Sequence, residues 1–81
     1  MIFSFKMREF KIGEVILCVK DFVMENGKID FTKGKKYKVT IKRETHYDII
    51  DNENYQHAMS EKYVNEYFMP LREEKLKRIL K

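Results

Sequence analysis

The 81-residue sequence has no tryptophan, one cysteine (Cys18), one proline and three glycines. A single cysteine excludes an internal disulfide framework and is typical of proteins kept in a reducing compartment. No apolar run approaches the roughly 20 residues that span a membrane, and the first ten residues lack the basic start and long apolar stretch of a signal peptide. We therefore expect a cytoplasmic protein that does not enter a membrane.

The length predicts a single small domain covering residues 1–81, with room for one sheet and one or two helices. Apolar residues make up 43% of the chain and include six Phe and five Tyr, which favours a folded core over disorder. A chain of this size has little room for a deep substrate cleft. The composition therefore favours a binding module over an enzyme.

Charge is segregated along the chain, although the net charge is only +4. Residues 28–43 carry seven bases and one acid, whereas residues 44–66 carry one base and six acids. Two arrangements are compatible with this pattern. The segments could form opposed charged faces that steer a charged partner, or they could pair side by side and neutralise each other.

The clearest element is a strand over residues 36–42. Tyr37, Val39 and Ile41 alternate with polar residues, mainly Lys36, Lys38 and Lys42, and a period of two is the pattern of a half-buried strand. We expect the apolar set to be buried and the three lysines to share the exposed face. A tight turn at residues 33–35, with Gly at positive φ, should precede this strand.

Other patterns complete a mainly β fold. Residues 14–20 are apolar on both alternating faces, which predicts a central strand covered on both sides. Ser60 is a good helix N-cap before the apolar stripe Tyr63, Val64, Tyr67 and Phe68. Further strands are expected at 2–7, 28–32, 46–50 and 55–59, and a second helix at 71–81. Together they predict a five- or six-stranded antiparallel meander, closed or half-closed, that fits a small barrel over about residues 13–59, with a helical C-terminal part over about 60–81.

Four stretches carry a family resemblance: residues 18–22 (CVKDF), 31–39 (FTKGKKYKV), 47–51 (YDIID) and 63–68 (YVNEYF). In this spacing the chain resembles small SH3-like barrel proteins encoded by tailed phages and prophages. The resemblance implies an SH3-like barrel in which F-x-K-G-K-x-Y-x-V forms a strand, a tight turn and a strand. It implies no catalytic residue, because that family shares no catalytic motif. Residues 1–12 and 71–81 lie outside the match.

Four residues are candidates for reactive chemistry: His46, Asp48, His57 and Cys18. Two histidines with a lysine could act as acid and base in RNA cleavage. A zinc site would need one more ligand than His46, His57 and a carboxylate, and the spacing matches no standard zinc finger. Cys18 lies in an apolar strand and is expected to be inert core. We expect no catalytic residue, no metal and no cofactor.

The basic residues around the central strand are the candidate binding site. They are Lys33, Lys35, Lys36, Lys38, Lys42 and Arg43. Binding of a phosphate backbone needs several cations on one surface, and Tyr47 or Tyr55 could stack bases beside them. The sequence therefore predicts a non-enzymatic protein that binds RNA or DNA. The alternative is a phage effector that binds and inhibits a host protein, such as a toxin or a defence nuclease, possibly through bound RNA.

Overall fold

The computed structural model describes residues 7–71, which form one helix and seven short strands. These elements are β1 (Val15–Cys18), β2 (Phe22–Val23), β3 (Ile29–Phe31), β4 (Lys36–Lys42), β5 (His46–Ile50), β6 (Gln56–Ser60), α1 (Glu61–Tyr67) and β7 (Phe68–Pro70). Five strands form an antiparallel sheet in the order β6-β5-β4-β1-β7, and β2 pairs with β3 separately. The mainly β prediction is confirmed, and the described strands do not close into a barrel. The strand expected at 2–7 and the helix expected at 71–81 lie outside the described residues, apart from Met7 and Leu71.

Strand β4 is stabilised by burial of its alternating apolar side chains in the core. Tyr37 and Val39 are buried, whereas Lys36 and Lys38 are exposed, as the period of two predicts. The turn before β4 contains Gly34 at φ +90°, a backbone conformation that residues with a Cβ rarely adopt. The predicted turn and the first half of the predicted strand are therefore confirmed.

A β-bulge interrupts the alternation of β4 after Val39. Val39 pairs with Ile49, but Ile41 pairs with Asp48. Two residues of β4 are therefore opposite a single step along β5, and β4 contains one extra residue. An extra residue reverses the face on which each following side chain lies. Ile41 is consequently half-buried rather than part of the core.

Lys42 is the residue whose position the bulge changes most. It pairs with Tyr47, whose side chain is buried in the core. Its ammonium nitrogen lies 6.0 Å from the centre of the Tyr47 ring and 3.8 Å from the carboxylate of Glu9. The prediction that Lys36, Lys38 and Lys42 share one face is therefore wrong.

Among residues 7–71, strand β1 is covered on one face only. Ile16 and Cys18 are buried, but Val15 is 41% exposed and Leu17 is half-buried. The prediction of a strand covered on both sides is wrong. The apolar residues of the second face lie at a partly exposed surface of the sheet.

Helix α1 begins where the sequence predicts. The Ser60 hydroxyl accepts a hydrogen bond from the Tyr63 backbone N–H at 3.3 Å, and Val64 is buried beneath the helix. Phe68 does not continue the helix, contrary to expectation, because it begins β7 and pairs with Cys18 of β1. Within residues 7–71 no helix is long and apolar enough to cross a membrane.

The core lies on the inner face of the sheet, beneath the β2–β3 pair and the segment that precedes β1. Phe10 packs edge-on against Tyr47 with ring centres 5.7 Å apart, and its N–H donates to the Tyr47 hydroxyl at 3.2 Å. Phe31 packs against Phe68 with ring centres 5.2 Å apart. These perpendicular aromatic contacts fill the space that the large side chains of both layers share.

Candidate nucleic-acid interface

Four of the six predicted basic residues form a set that we call the basic patch: Lys33, Lys35, Lys36 and Lys38. All four are exposed, and their side chains make no hydrogen bond or ion pair within the described part of the chain. Lys36 and Lys38 project from the same face of β4, with Cα atoms about 7 Å apart at the rise of a strand. Four positive charges within six residues are therefore available to an external anion.

The backbone that carries the patch is fixed by hydrogen bonds to β1 and to the loop after it. The Gly34 N–H donates to the Cys18 carbonyl at 2.8 Å, and the Cys18 N–H donates to the Lys35 carbonyl at 2.9 Å. The Lys33 N–H donates to the Asp21 carboxylate at 2.7 Å. The patch is thus displayed by an ordered turn.

The register partners of the strand lysines on β1 are apolar. Lys38 pairs with Val15, and Lys36 pairs with Leu17. Cross-strand partners of this kind offer packing area to the lysine stems but no charge to neutralise the ammonium groups. The patch therefore combines partly exposed apolar residues with cations that have no acidic partner in the part of the chain that the structure describes.

The other two predicted residues, Lys42 and Arg43, already lie near acidic side chains of the chain itself. Lys42 lies on the core side of β4 near Glu9, as described above. Arg43 donates two hydrogen bonds to the buried carboxylate of Asp48, at 3.2 and 3.0 Å. The hydrogen-bonded carboxylate raises the pKa of Arg43 above its ordinary value. The six predicted residues therefore do not form one continuous surface.

Neither arrangement predicted for the charged segments holds alone. Several acidic side chains of residues 44–66 are neutralised by bases, in the pairs Arg43–Asp48, Lys28–Glu53 and Lys20–Glu66. Only the first of these pairs joins the residue after β4 to β5, and the basic patch has no acidic partner within the described residues. Pairing within residues 7–71 thus leaves the positive charge of residues 33–38 uncompensated.

The two aromatic residues proposed to stack bases differ in position. Tyr47 is 1% exposed and packs in the core, so it cannot contact a ligand. Tyr55 is 69% exposed in the turn between β5 and β6. The prediction of a stacking role is wrong for Tyr47 and stays a prediction for Tyr55.

The predicted reactive candidates do not meet. His46 and Asp48 lie on one face of β5, whereas His57 pairs with Ile49 and lies on the opposite, core-side face. Cys18 is buried, and burial raises the pKa of its thiol. The structure therefore does not assemble these candidates into an acid–base pair.

His57 instead meets two carboxylates that sequence reasoning did not single out. Its Nδ1 lies 3.1 Å from Asp30 Oδ2 and 3.7 Å from Asp51 Oδ2. Its ring packs between Phe22 and Phe31, with ring centres 5.4 and 5.3 Å away. The three polar residues belong to β3, to the turn after β5 and to β6, so no local spacing could have signalled the cluster.

A surface groove of about 660 Å³ lies between the β2 region and α1. It is lined by Phe22, Val23, Met24, Glu25, Asn26, Tyr63 and Tyr67. The rings of Phe22 and Tyr67 are 5.0 Å apart and form its floor, while Val23 and Tyr63 are exposed. Exposed apolar side chains grouped in this way are typical of contact surfaces for other molecules.

In comparisons with known proteins, no family model, no curated protein and no solved structure matches this chain. The resemblance to phage SH3-like proteins therefore stays a prediction. The function has to be argued from the residues and their geometry.

Proposed function

We propose that the chain is a non-catalytic, phage-type SH3-like protein that binds RNA or DNA through the phosphate backbone. The observation that carries the proposal is the basic patch, four exposed lysines without an internal partner in residues 7–71. Each phosphate that such a cation neutralises releases condensed counterions, and this release supplies affinity without sequence preference.

The SH3-like part of the proposal is supported by the end of the described chain. A short helix follows β6, and β7 then returns to pair with β1 on the side away from β4. The connection brings the last strand beside the first, as a small barrel requires. The separate β2–β3 pair packs over the core face through Phe22 and Phe31.

The proposal is tested by removing two patch charges and comparing the result with a variant of equal net charge. Lys36→Gln/Lys38→Gln removes the two strand lysines, and Lys42→Gln/Lys62→Gln removes two lysines outside the patch. Binding of single-stranded RNA and DNA would be followed by fluorescence anisotropy at about 50 and about 200 mM salt. We expect the patch variant to bind more weakly and its slope of log K against log salt to fall by about 1.4 for single strands.

Thermal melting of both variants checks that the fold is retained. We expect both to melt close to wild type, because substitutions of exposed lysines change the free energy of unfolding by no more than about 0.5 kcal/mol. Wild-type protein that binds neither nucleic acid would overturn the proposal. So would a folded patch variant that binds as well as the matched control.

A second candidate function is favoured by the groove between β2 and α1. Its exposed apolar residues suit a protein partner, so the chain could be an effector that inhibits a host toxin or defence nuclease. Inhibition of a purified candidate nuclease by wild type, by Val23→Ser/Tyr63→Ser and by the patch variant separates the two functions. Loss of inhibition in the groove variant alone, with little salt dependence, supports the effector.

A further inference from the structure

We propose that Asp30, Asp51 and His57 form a binding site for Zn²⁺. One ligand atom from each residue, either a carboxylate oxygen or an imidazole nitrogen, lies within 4.8 Å of the other two. Neutral imidazole and carboxylate are ordinary zinc ligands, and three protein ligands with a water in the fourth position are a common set. The proposal concerns a different part of the molecule from the basic patch and does not depend on nucleic-acid binding.

Two of the three ligand-atom distances are close to those of tetrahedral coordination, and the third, between the two carboxylates, is no more than 4.8 Å. Bonds of about 2.0–2.1 Å at tetrahedral angles place ligand atoms about 3.3 Å apart. Nδ1 of His57 is 3.1 Å from Asp30 Oδ2 and 3.7 Å from Asp51 Oδ2. Shifts of a few tenths of an ångström in the side chains would bring both distances to the value that zinc requires.

Hydrogen bonding alone does not satisfy the cluster. Nδ1 of His57 carries at most one proton, and Asp30 at 3.1 Å is the carboxylate within range to accept it. Asp51 Oδ2, at 3.7 Å, accepts no hydrogen bond from any residue between 7 and 71. The Asp51 side chain is only 7% exposed, so water reaches this oxygen over a small area only. A cation bound here would supply a partner that residues 7–71 do not.

The charges of the cluster are also unbalanced. Two carboxylates face one imidazole, and a net negative charge remains even when His57 is protonated. The charge of Lys28 interacts with the carboxylates of Asp30 and Asp51, but its ammonium group forms its ion pair with Glu53. Zn²⁺ bound by neutral His57 and two carboxylates has no net charge, which removes the cost of burying an unpaired anion.

The supporting contacts hold the ligands in place. Asp51 Oδ1 accepts hydrogen bonds from the backbone N–H groups of Glu53 and Tyr55, at 2.9 and 3.0 Å, so its other oxygen is aimed at the His57 ring. The two phenylalanine rings described above fix the plane of the imidazole. Partners of this kind orient metal ligands and strengthen binding.

Bound zinc would add to the contacts between β3 and the β5–β6 hairpin, which already include hydrogen bonds from Asn52 to Ile29 and Asp30. Asp30 lies in β3, which belongs to the two-stranded sheet, whereas His57 lies in β6 at the edge of the five-stranded sheet. A metal held by both would stabilise the folded state by mass action, since the unfolded chain does not preserve the site. We infer that bound zinc raises the stability of the fold.

The test uses the full chain, free of any affinity tag, stripped with a chelator and then titrated with zinc chloride in a calorimeter. We expect one zinc ion per chain and a higher melting temperature with zinc than without it. His57→Gln and Asp51→Asn should each weaken binding at least about tenfold. His46→Gln removes the exposed histidine of the opposite face and should bind zinc as wild type does.

Asp51→Asn is the decisive variant if His57→Gln does not fold, because its amide oxygen can still accept the two turn hydrogen bonds. Wild-type protein that takes up no zinc and melts at the same temperature with and without it would contradict the proposal. Equal weakening by His46→Gln and His57→Gln would also contradict it, since that result describes binding by exposed histidines. Undiminished binding by both cluster variants would do the same.

Discussion

The ammonium nitrogen of Lys42 lies over the buried ring of Tyr47, at 6.0 Å from its centre, on the opposite face of β4 from Lys38. The two lysines are four residues apart and would share a face in a regular strand. The bulge after Val39 separates them. One strand therefore supplies cations to both sides of the sheet, and only those before the bulge lie on the outer face with the basic patch.

This separation predicts different effects of two similar substitutions. Lys38→Met should weaken RNA or DNA binding and lower its salt dependence, because Lys38 is unpaired within the described residues. Lys42→Met should change binding less, because the ammonium group of Lys42 is near Glu9 and its aliphatic stem can still cover Tyr47. Anisotropy titrations of the two variants at one salt concentration make the comparison. A larger loss for Lys42→Met would show that the core-side lysine contributes to the interface.

Truncation of Val39 should destabilise the fold. Val39 is fully buried at the point where the bulge begins, so Val39→Ala loses apolar burial and leaves a cavity. We expect the free energy of unfolding to fall by about 2 kcal/mol. Val23→Ala is the matched control, because Val23 is 55% exposed and the same change there should cost less than about 0.5 kcal/mol. Equal denaturation midpoints for the two variants would contradict the assignment of the inner face.

Stability should fall at alkaline pH, beginning with Cys18. Burial raises the pKa of the Cys18 thiol above its ordinary value of 9.0, so above that pH the unfolded chain loses this proton before the folded chain does. The pKa values of Lys20 and Lys28 are raised above 10.5 by Glu66 and Glu53. Their contribution is complete below that pH and is lost as the pH rises through the folded-state values.

We therefore expect the urea midpoint to stay constant from neutral pH to about 9 and then to fall. Cys18→Ala should lower the midpoint overall but delay the decline, because it removes the first group to titrate. Iodoacetamide at pH 8 should modify folded Cys18 at least about tenfold more slowly than the urea-unfolded thiol. Rapid modification of the native protein would show that Cys18 is accessible.

The sequence predicts the parts of the fold that depend on local patterns. The alternation of Tyr37 with its lysine neighbours identifies β4, Gly34 marks the turn before it, and Ser60 marks the start of α1. Each signal acts within a few residues, through side-chain direction, backbone freedom or a capping hydrogen bond. These signals do not depend on contacts with distant segments of the chain.

The failures all involve pairing between distant segments. The bulge after Val39 is followed by Thr40 and Ile41, two good strand formers that give no sign of an extra residue. Strand β7 is only three residues long, and it forms because β1 offers an unpaired edge. Lys42 and Arg43, the two of the six candidate residues that lie beyond the bulge, were misplaced for the same reason.

The meeting of Asp30, Asp51 and His57 could not be foreseen either. Their sequence separation carries no periodic signal, and the three residues approach each other only after β3 has packed over the sheet. The sequence identified His57 as a candidate but grouped it with His46. The structure places these two histidines on opposite faces of the sheet.

The hydrogen bonds that tie residues 33–35 to Cys18 have a consequence for the kinetics of binding. A loop that must order itself around a ligand loses conformational entropy and slows productive encounters. Here the backbone of the turn is already held by two bonds, at 2.8 and 2.9 Å, before any ligand arrives. Only the lysine side chains remain to be ordered. We therefore expect association to be limited by diffusion and accelerated at low ionic strength, with differences between nucleic acids arising in the dissociation rate.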